Sequence, residues 1–236
     1  MAKTKTALGS RWMSVTDVTT KLKEARQNRE EQVAYLKTLN NDLERKLDDL
    51  AGSLGDLPED GRQKILNRAR SSIRADFKRN SAERRLRHMK QAGAIQETTN
   101  AARPHYQSAV QMLMRDNLGS ERRSRLLEQT AHSKSAELAS LAELAAATDD
   151  KELAAVLISR NADLKVKDRP FSSQQLADAL VGEEFNQMQG ALAEIDRLTQ
   201  EIAHDDTAFE TGRTNPRRSV KIALMKQAEA ELDLEE

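Results

Sequence analysis

The side chains able to do chemistry are thinly spread in this sequence. Of its 236 residues none is cysteine, and the four histidines, His88, His105, His132 and His204, form no close pair. That excludes disulfide scaffolds, thiolate zinc sites, iron–sulfur clusters and cysteine nucleophiles. A histidine-based metal site would need carboxylates from distant stretches of chain. No Gly-x-x-x-x-Gly-Lys phosphate loop, Gly-x-Gly-x-x-Gly, Gly-x-Ser-x-Gly elbow or His-Glu-x-x-His occurs. The acidic pairs Asp149–Asp150, Glu183–Glu184 and Asp205–Asp206 are adjacent in sequence. Neighbours on a helix point about 100° apart, so each pair reads as a solvated face or a cap rather than an acid/base pair. Glu183, Glu184 and His204 are too scattered to read as a di-metal site. The expectation is a protein with no catalytic residue, no cofactor and no metal.

Charge is the stronger signal. The 38 Lys and Arg balance 38 Asp and Glu, but unevenly. Residues 62–125 carry 16 basic and 5 acidic groups, and residues 135–210 carry 6 basic and 16 acidic. The densest stretch, Arg62 to Lys90, sets 11 Lys and Arg against Asp76 and Glu83. Arg68, Arg70, Arg74, Lys78, Arg79, Arg84, Arg85 and Arg87 are the candidates for polyanion contact, because cations along a helical rod release counterions from a phosphate backbone. No helix-turn-helix and no interleaved aromatics accompany them, so neither base-specific reading nor stacking on single strands is expected. The competing reading pairs the basic block with the acidic one, within a chain or between neighbours, where complementary charge sets orientation and partner choice. The C-terminus repeats this in miniature, with Arg213, Arg217, Arg218 and Lys221 ahead of Glu229, Glu231, Asp233, Glu235 and Glu236. Cations at a helix start and acids at its end both oppose the macrodipole, which suits ends neutralised by partners.

The elements that carry these residues read as helices. Hydrophobic residues make up 38% and aromatics 3%. Few β-branched and aromatic residues argue against sandwiches, barrels and parallel sheets. The expected fold is all-α, an elongated bundle of six or seven helices with two long, coiled-coil-like ones.

The first long helix spans about Ser14–Ala51, opened by a Ser14/Asp17 capping box. About 38 residues make a rod of roughly 57 Å. Its heptad a positions are Val15, Leu22, Arg29, Leu36, Leu43 and Leu50, and its d positions Val18, Ala25, Gln32, Leu39 and Lys46. The seam is apolar with polar interruptions at Arg29, Gln32 and Lys46, and it buries against its own chain or a neighbour. The Gly- and Pro-bearing stretch Ala51–Gly61 breaks the pattern, with Asp56 and Glu59 as caps. A second helix runs to about Gln91 and stops at Gly93, its face formed by Ile65, Ala69, Ile73, Phe77, Leu86 and Met89.

A third helix starts near Ala101 and Pro104, a fourth spans Glu121–Ala147, and a short apolar one capped by Asp149 and Glu152 ends near Asn161. Met112 and Met114 read as core fillers. After a linker over Asp163–Phe171, Ser172 and Gln175 open a helix with a second seam, Met188, Ala191, Ile195, Leu198 and Ile202. Asn215 and Pro216 suit N-cap and first turn of a last helix through Val220, Leu224 and Leu232. Three stretches result: an arm and heptad helix (1–51), a basic-then-apolar region (58–161), and an acidic heptad helix with its C-terminal helix (172–236). Trp12, just ahead of the first helix, either anchors the N-terminal arm to a neighbour or covers the helix end.

In composition and layout over its whole length, the chain resembles the small helical virion proteins of tailed bacteriophages: scaffold, internal or ejection, and head–tail components. The resemblance implies a structural protein packed against its own copies or against capsid, portal or tail proteins. It also implies contact between Arg62–Lys90 and packaged genome, synthesis in the cytoplasm, and a final place in the virion. The longest apolar run, Leu153–Ile158, falls far short of the roughly 18 residues of a membrane span. Met1–Arg11 is basic with no apolar stretch behind it, so no secretory signal is expected either. The alternative function is an accessory nucleic-acid-binding protein using the Arg62–Lys90 helix.

Overall fold

The computed structural model describes residues 12–55, 57–115 and 118–234, with side chains through 230. The arm Met1–Arg11, the expected cap Asp56, and the side chains of Glu231, Leu232, Asp233, Glu235 and Glu236 lie outside the described set. The fold is all-α. Among the described residues there are eight α-helices and no strand: α1 (Val15–Ser53), α2 (Glu59–Ala102), α3 (Ala109–Leu113), α4 (Glu121–Gln129), α5 (Ser135–Ala147), α6 (Lys151–Asp163), α7 (Ser173–Thr211) and α8 (Pro216–Leu234). The two helices expected to be long, α1 and α7, have 39 residues each.

Three boundaries differ from the sequence expectation. α2 continues through Gly93 to Ala102, giving it 44 residues. A mid-helix glycine costs about 1 kcal/mol, and burial of Ala92, Ile95, Thr99 and Ala102, each 4% exposed or less, offsets it. The helix expected from Ala101 is instead a single 3-10 turn, Arg103–His105, followed by short α3. The expected 121–147 helix is split, because α4 ends at Thr130, whose N–H bonds Leu126 O, and α5 restarts at Ser135. The count is therefore eight rather than six or seven.

Local capping chemistry was readable. Ser14 Oγ accepts from the Asp17 N–H at 3.1 Å and Asp17 Oδ2 accepts from the Ser14 N–H at 3.0 Å, a reciprocal capping box. Ser172 Oγ accepts from the Gln175 N–H at 3.3 Å. Asn215 Oδ1 accepts from the Arg217 N–H at 3.1 Å, with Pro216 opening α8. For α6 the cap is Asp150, which accepts from the Leu153 N–H at 3.1 Å. Asp149 beside it is left-handed, at φ 52°.

The residues group into two compact units, each drawn from separated stretches: 1–19, 98–192 and 232–236 in the first, 20–97 and 193–231 in the second. In the first unit α6 is the central helix. Leu153 through Ile158 are all buried, so this stretch of α6 is apolar all round, as an enclosed helical segment must be. It packs on α3, α4 and α5. Buried alanines Ala142, Ala145, Ala154, Ala155 and Ala177 line this core beside Leu113, Leu138, Leu176, Leu180 and Val181. Small side chains let the helices approach closely and explain a core with so few aromatics. Met112 and Met114 pack against it.

In the second unit the α1 seam packs within its own chain. Val18, Leu22, Leu36, Leu39 and Leu43 are buried, as are Met188, Ile195, Leu198 and Ile202 of α7; Val15 is half-buried. Of these, Val15, Val18 and Met188 belong to the first unit. The α1 register drifts, however. A straight helix falls behind a heptad by about 20° per repeat. Four repeats after Val18 the heptad position is Lys46, which is exposed, and Leu47 is buried in its place. On α2 the expected apolar face is only partly inward. Ile65 and Leu86 are 40% and 45% exposed, and the inward stripe runs Ser81, Arg85, His88, Ala92 and Ile95, with buried Thr99 falling in the first unit. On α8, Val220 and Leu224 point outward while Ile222 and Met225 are half-buried.

Candidate functional site

The candidate polyanion contacts follow an α-helical spiral, so their spacing distributes them around α2 rather than along one face. Arg68, Arg70, Lys78, Arg79, Arg84 and Arg87 are exposed and Arg74 is half-buried. Several are already engaged. Arg79 lies 3.5 Å from Asp76, Arg87 3.6 Å from Glu83 and Arg70 3.9 Å from Glu44. Arg84 stacks over the Tyr35 ring at 4.1 Å.

Arg85 is a correction. It is 2% exposed and makes no surface for a polyanion. Its Nη1 donates to Asp206 at 2.5 Å, its Nη2 to Glu210 at 3.1 Å, and its Nε to Ser81 Oγ at 3.0 Å. The guanidinium also sits 5.2 Å from the Phe209 ring. A buried arginine survives because its donors are met by carboxylates and a hydroxyl in fork geometry. Basic α2 and acidic α7 therefore neutralise each other here within one chain.

Two of the three polar interruptions of the α1 seam, Arg29 and Gln32, belong to the same interior, while Lys46 is exposed. Arg29 donates to Glu201 at 3.1 Å and Asp205 at 2.6 Å. Gln32, fully buried, donates to the Ile202 carbonyl at 2.9 Å and accepts from Arg29 at 2.9 Å. Arg197 holds Glu229 of α8 at 2.7 Å and Glu201 at 2.9 Å. Burial pushes the Glu201 carboxyl up, but donation from Lys226, Arg29 and Arg197 outweighs it and holds the group below its usual range. Burial raises Glu229 despite Arg197. Thus the one acid among the described side chains near the α8 end is neutralised inside its own unit.

His88 is buried in this unit. Asn28 embraces it, donating to the His88 carbonyl at 3.0 Å while its Oδ1 lies 2.8 Å from Nδ1. The amide oxygen assigns the proton to Nδ1, and Nε2 is sealed off with no partner among the described residues. A second proton would have no acceptor. Burial, then nearby Arg84, lowers the pKa from 6.5, with Glu31 opposing. The folded state thus releases this proton more readily than the unfolded chain. The associated stability is complete above pH 6.5 and is lost as pH falls through the window beneath it. Thermal midpoints are expected to drop as pH falls below 6.5, with a smaller drop in His88→Gln. Equal drops in both proteins would exclude this origin.

In the first unit, Arg122 bridges Asp150 and Glu152, the latter at 2.7 Å, and Ser120 Oγ donates to Glu152 at 2.8 Å. Arg122 holds Asp150 below the usual carboxylate range, and Ser120 with Arg122 does the same for Glu152. This cluster pins the start of α6 to the start of α4. Of the acidic pairs, Asp149–Asp150 is a cap, and Asp205–Asp206 splits between Arg29 and Arg85. Glu184 pairs with Lys151 at 2.8 Å and Glu183 is exposed.

The spacing Glu201-x-x-His204, which could hold a metal in a helical bundle, escaped the sequence reading. Glu201 is surrounded by cations, and His204 bonds Asp205 at 3.0 Å and Ser219 at 3.1 Å. No group of three metal-ligating side chains converges among the described residues, nor is any described helix long and apolar enough to cross a membrane.

Two clefts remain. One, of about 470 Å³ in the first unit, is lined by Trp12, Tyr106 and the Lys151–Glu184 pair among others. Trp12 is 58% exposed at its edge. Tyr106 Oη donates to the Met13 carbonyl there, and burial pushes its pKa up. The other, of about 440 Å³ in the second unit, lies between α1, α2 and the turn after α7. It joins Arg74 to Lys37 and Arg213, which sequence spacing could not relate. Compared with protein-family models, with curated proteins and with solved structures, this chain matches none.

Proposed function

We propose that this chain is a non-enzymatic assembly protein whose copies join through outward helix faces, in the manner of the structural components of bacteriophage particles. The observation that carries the reading is an unsatisfied face on α8. Val220 and Leu224, one turn apart, are 59% and 60% exposed, flanked by exposed Arg217 and Lys221. Polar bonds hold the opposite face of α8: Arg197–Glu229, Lys226–Glu201 and His204–Ser219. The complement is on α5, where Leu144 is 51% exposed and Glu137 and Glu143 are exposed with no ion pair among the described residues. Apolar centres rimmed by opposite charge favour α8 of one copy on α5 of the next. Arranged head to tail, the contact is heterologous and builds a ring or an open filament.

Light scattering tests this. At about 0.1 M salt the mass is expected to exceed the 26.4 kDa of one chain and to fall as salt rises towards about 1 M. Leu224→Glu and Leu144→Lys alter exposed side chains, so each should leave folding intact and return the protein to monomer. A monomeric wild type, or variants that assemble unchanged, would rule the reading out. The second reading, polyanion contact along α2, draws on Arg68 and Lys78, which are exposed and make no ion pair among the described residues.

A further inference from the structure

We propose that the cleft between α1, α2 and the α7–α8 turn is a binding site for a phosphate group, carried by a phosphomonoester. Lys37 of α1, Arg74 of α2 and Arg213 of the turn border it, three cations from three separate elements. None of them makes an ion pair among the described residues. By contrast, four arginines of this unit, Arg26, Arg29, Arg85 and Arg197, each reach a carboxylate within 3.1 Å. The carboxylate on the lining, Asp205, is taken by Arg29 at 2.6 Å and His204 at 3.0 Å. The cleft therefore keeps a positive excess that the described residues do not neutralise.

Arg74 lies against the backbone of the turn. Gly212 adopts φ +68°, and a Cβ there would lie 3.2 Å from the Arg74 Cζ, with Nη1 closer still. Glycine thus both permits the turn and makes room for the guanidinium. The Arg74 Nε is sealed from solvent with no hydrogen-bond partner among the described residues, a donor left unspent.

The ligand chemistry follows from the donors. A carboxylate is satisfied by one bidentate arginine. Cations converging from three directions suit a phosphate, which carries about −1.5 to −2 charges and three acceptor oxygens. The cleft, about 440 Å³, is larger than a bare phosphate requires and falls within the roughly 300–1,000 Å³ of small-ligand sites. Val33, 43% exposed on its wall, offers contact to an organic body. This goes beyond the assembly reading, since none of these residues lies on the α5 or α8 faces invoked there.

Titration calorimetry on the full chain in low chloride tests it, with inorganic phosphate and adenosine 5′-monophosphate as probes. Both are expected to bind, the nucleotide more tightly. Equal affinity would support the phosphate site with free phosphate as its source. Arg74→Met and Arg213→Met are each expected to weaken binding about tenfold or more. Arg79→Met, on exposed α2 away from the cleft, is expected to change nothing. No heat from either probe up to about 10 mM would overturn the proposal. So would an Arg79→Met loss equal to that of Arg74→Met, because binding would then be diffuse attraction to α2. Should Arg74→Met fail to fold by circular dichroism, Arg213→Met, an exposed turn position, decides the matter.

Discussion

Arg85→Ala is expected to destabilise the protein by about 3–5 kcal/mol, read as a lower urea midpoint. The reason is the partner left behind. The Asp206 side chain is 7% exposed and that of Arg85 3% exposed, at 2.5 Å from each other. Removing the guanidinium strands a buried carboxylate, and Glu210 and Ser81 lose their donor as well. The double replacement Arg85→Met with Asp206→Leu is expected to recover most of the loss, because apolar side chains of similar volume leave no charge in the interior. Arg87, two residues along, has a side chain 71% exposed, and its change to alanine should stay within about 0.5 kcal/mol. A loss of under about 1 kcal/mol in Arg85→Ala would mean that water reaches Asp206 and that the network is not the interior it resembles.

Leu157→Ala is expected to cost about 2–5 kcal/mol, the range for truncating a fully buried leucine. Leu157 is 0% exposed on α6, the helix against which α3, α4 and α5 pack. Its neighbours in the core include Ala145, Ala154, Ala155 and Ala177, which cannot lengthen to fill a void. The cost should therefore sit in the upper half of that range. Leu144→Ala, on the exposed face of α5, is the matched control and should be nearly neutral. Equal midpoints for Leu157→Ala and wild type would show that α6 is not the centre of the first unit's core.

Short-range chemistry explains what could be read in advance. The Ser14/Asp17 box, the Asn215–Pro216 start of α8 and the apolar α6 run depend on residues within a turn of each other. Heptad spacing found Leu22, Leu36, Leu39, Leu43, Ile195, Leu198 and Ile202, because burial of a helix stripe is periodic whichever partner covers it. The same logic failed at Lys46, where the stripe's 3.6-residue period departs from seven per two turns. It failed again at Gly93, where glycine's stop signal counts only if the backbone turns left-handed.

By itself, the sequence determined an all-helical protein: strong helix formers, sparse aromatics and local caps leave little else. It also determined that opposite charges occupy different stretches of chain. Tertiary structure alone decided which charges meet. Arg85 lies in the same basic run as Arg79 and Arg87, yet it faces Asp206 across 121 positions of sequence. Lys37, Arg74 and Arg213 share no pattern at all, and only the packing of α1, α2 and the α7–α8 turn gathers them. Coulomb interactions depend on distance in space and on solvent exposure, and neither is a property of spacing along a chain.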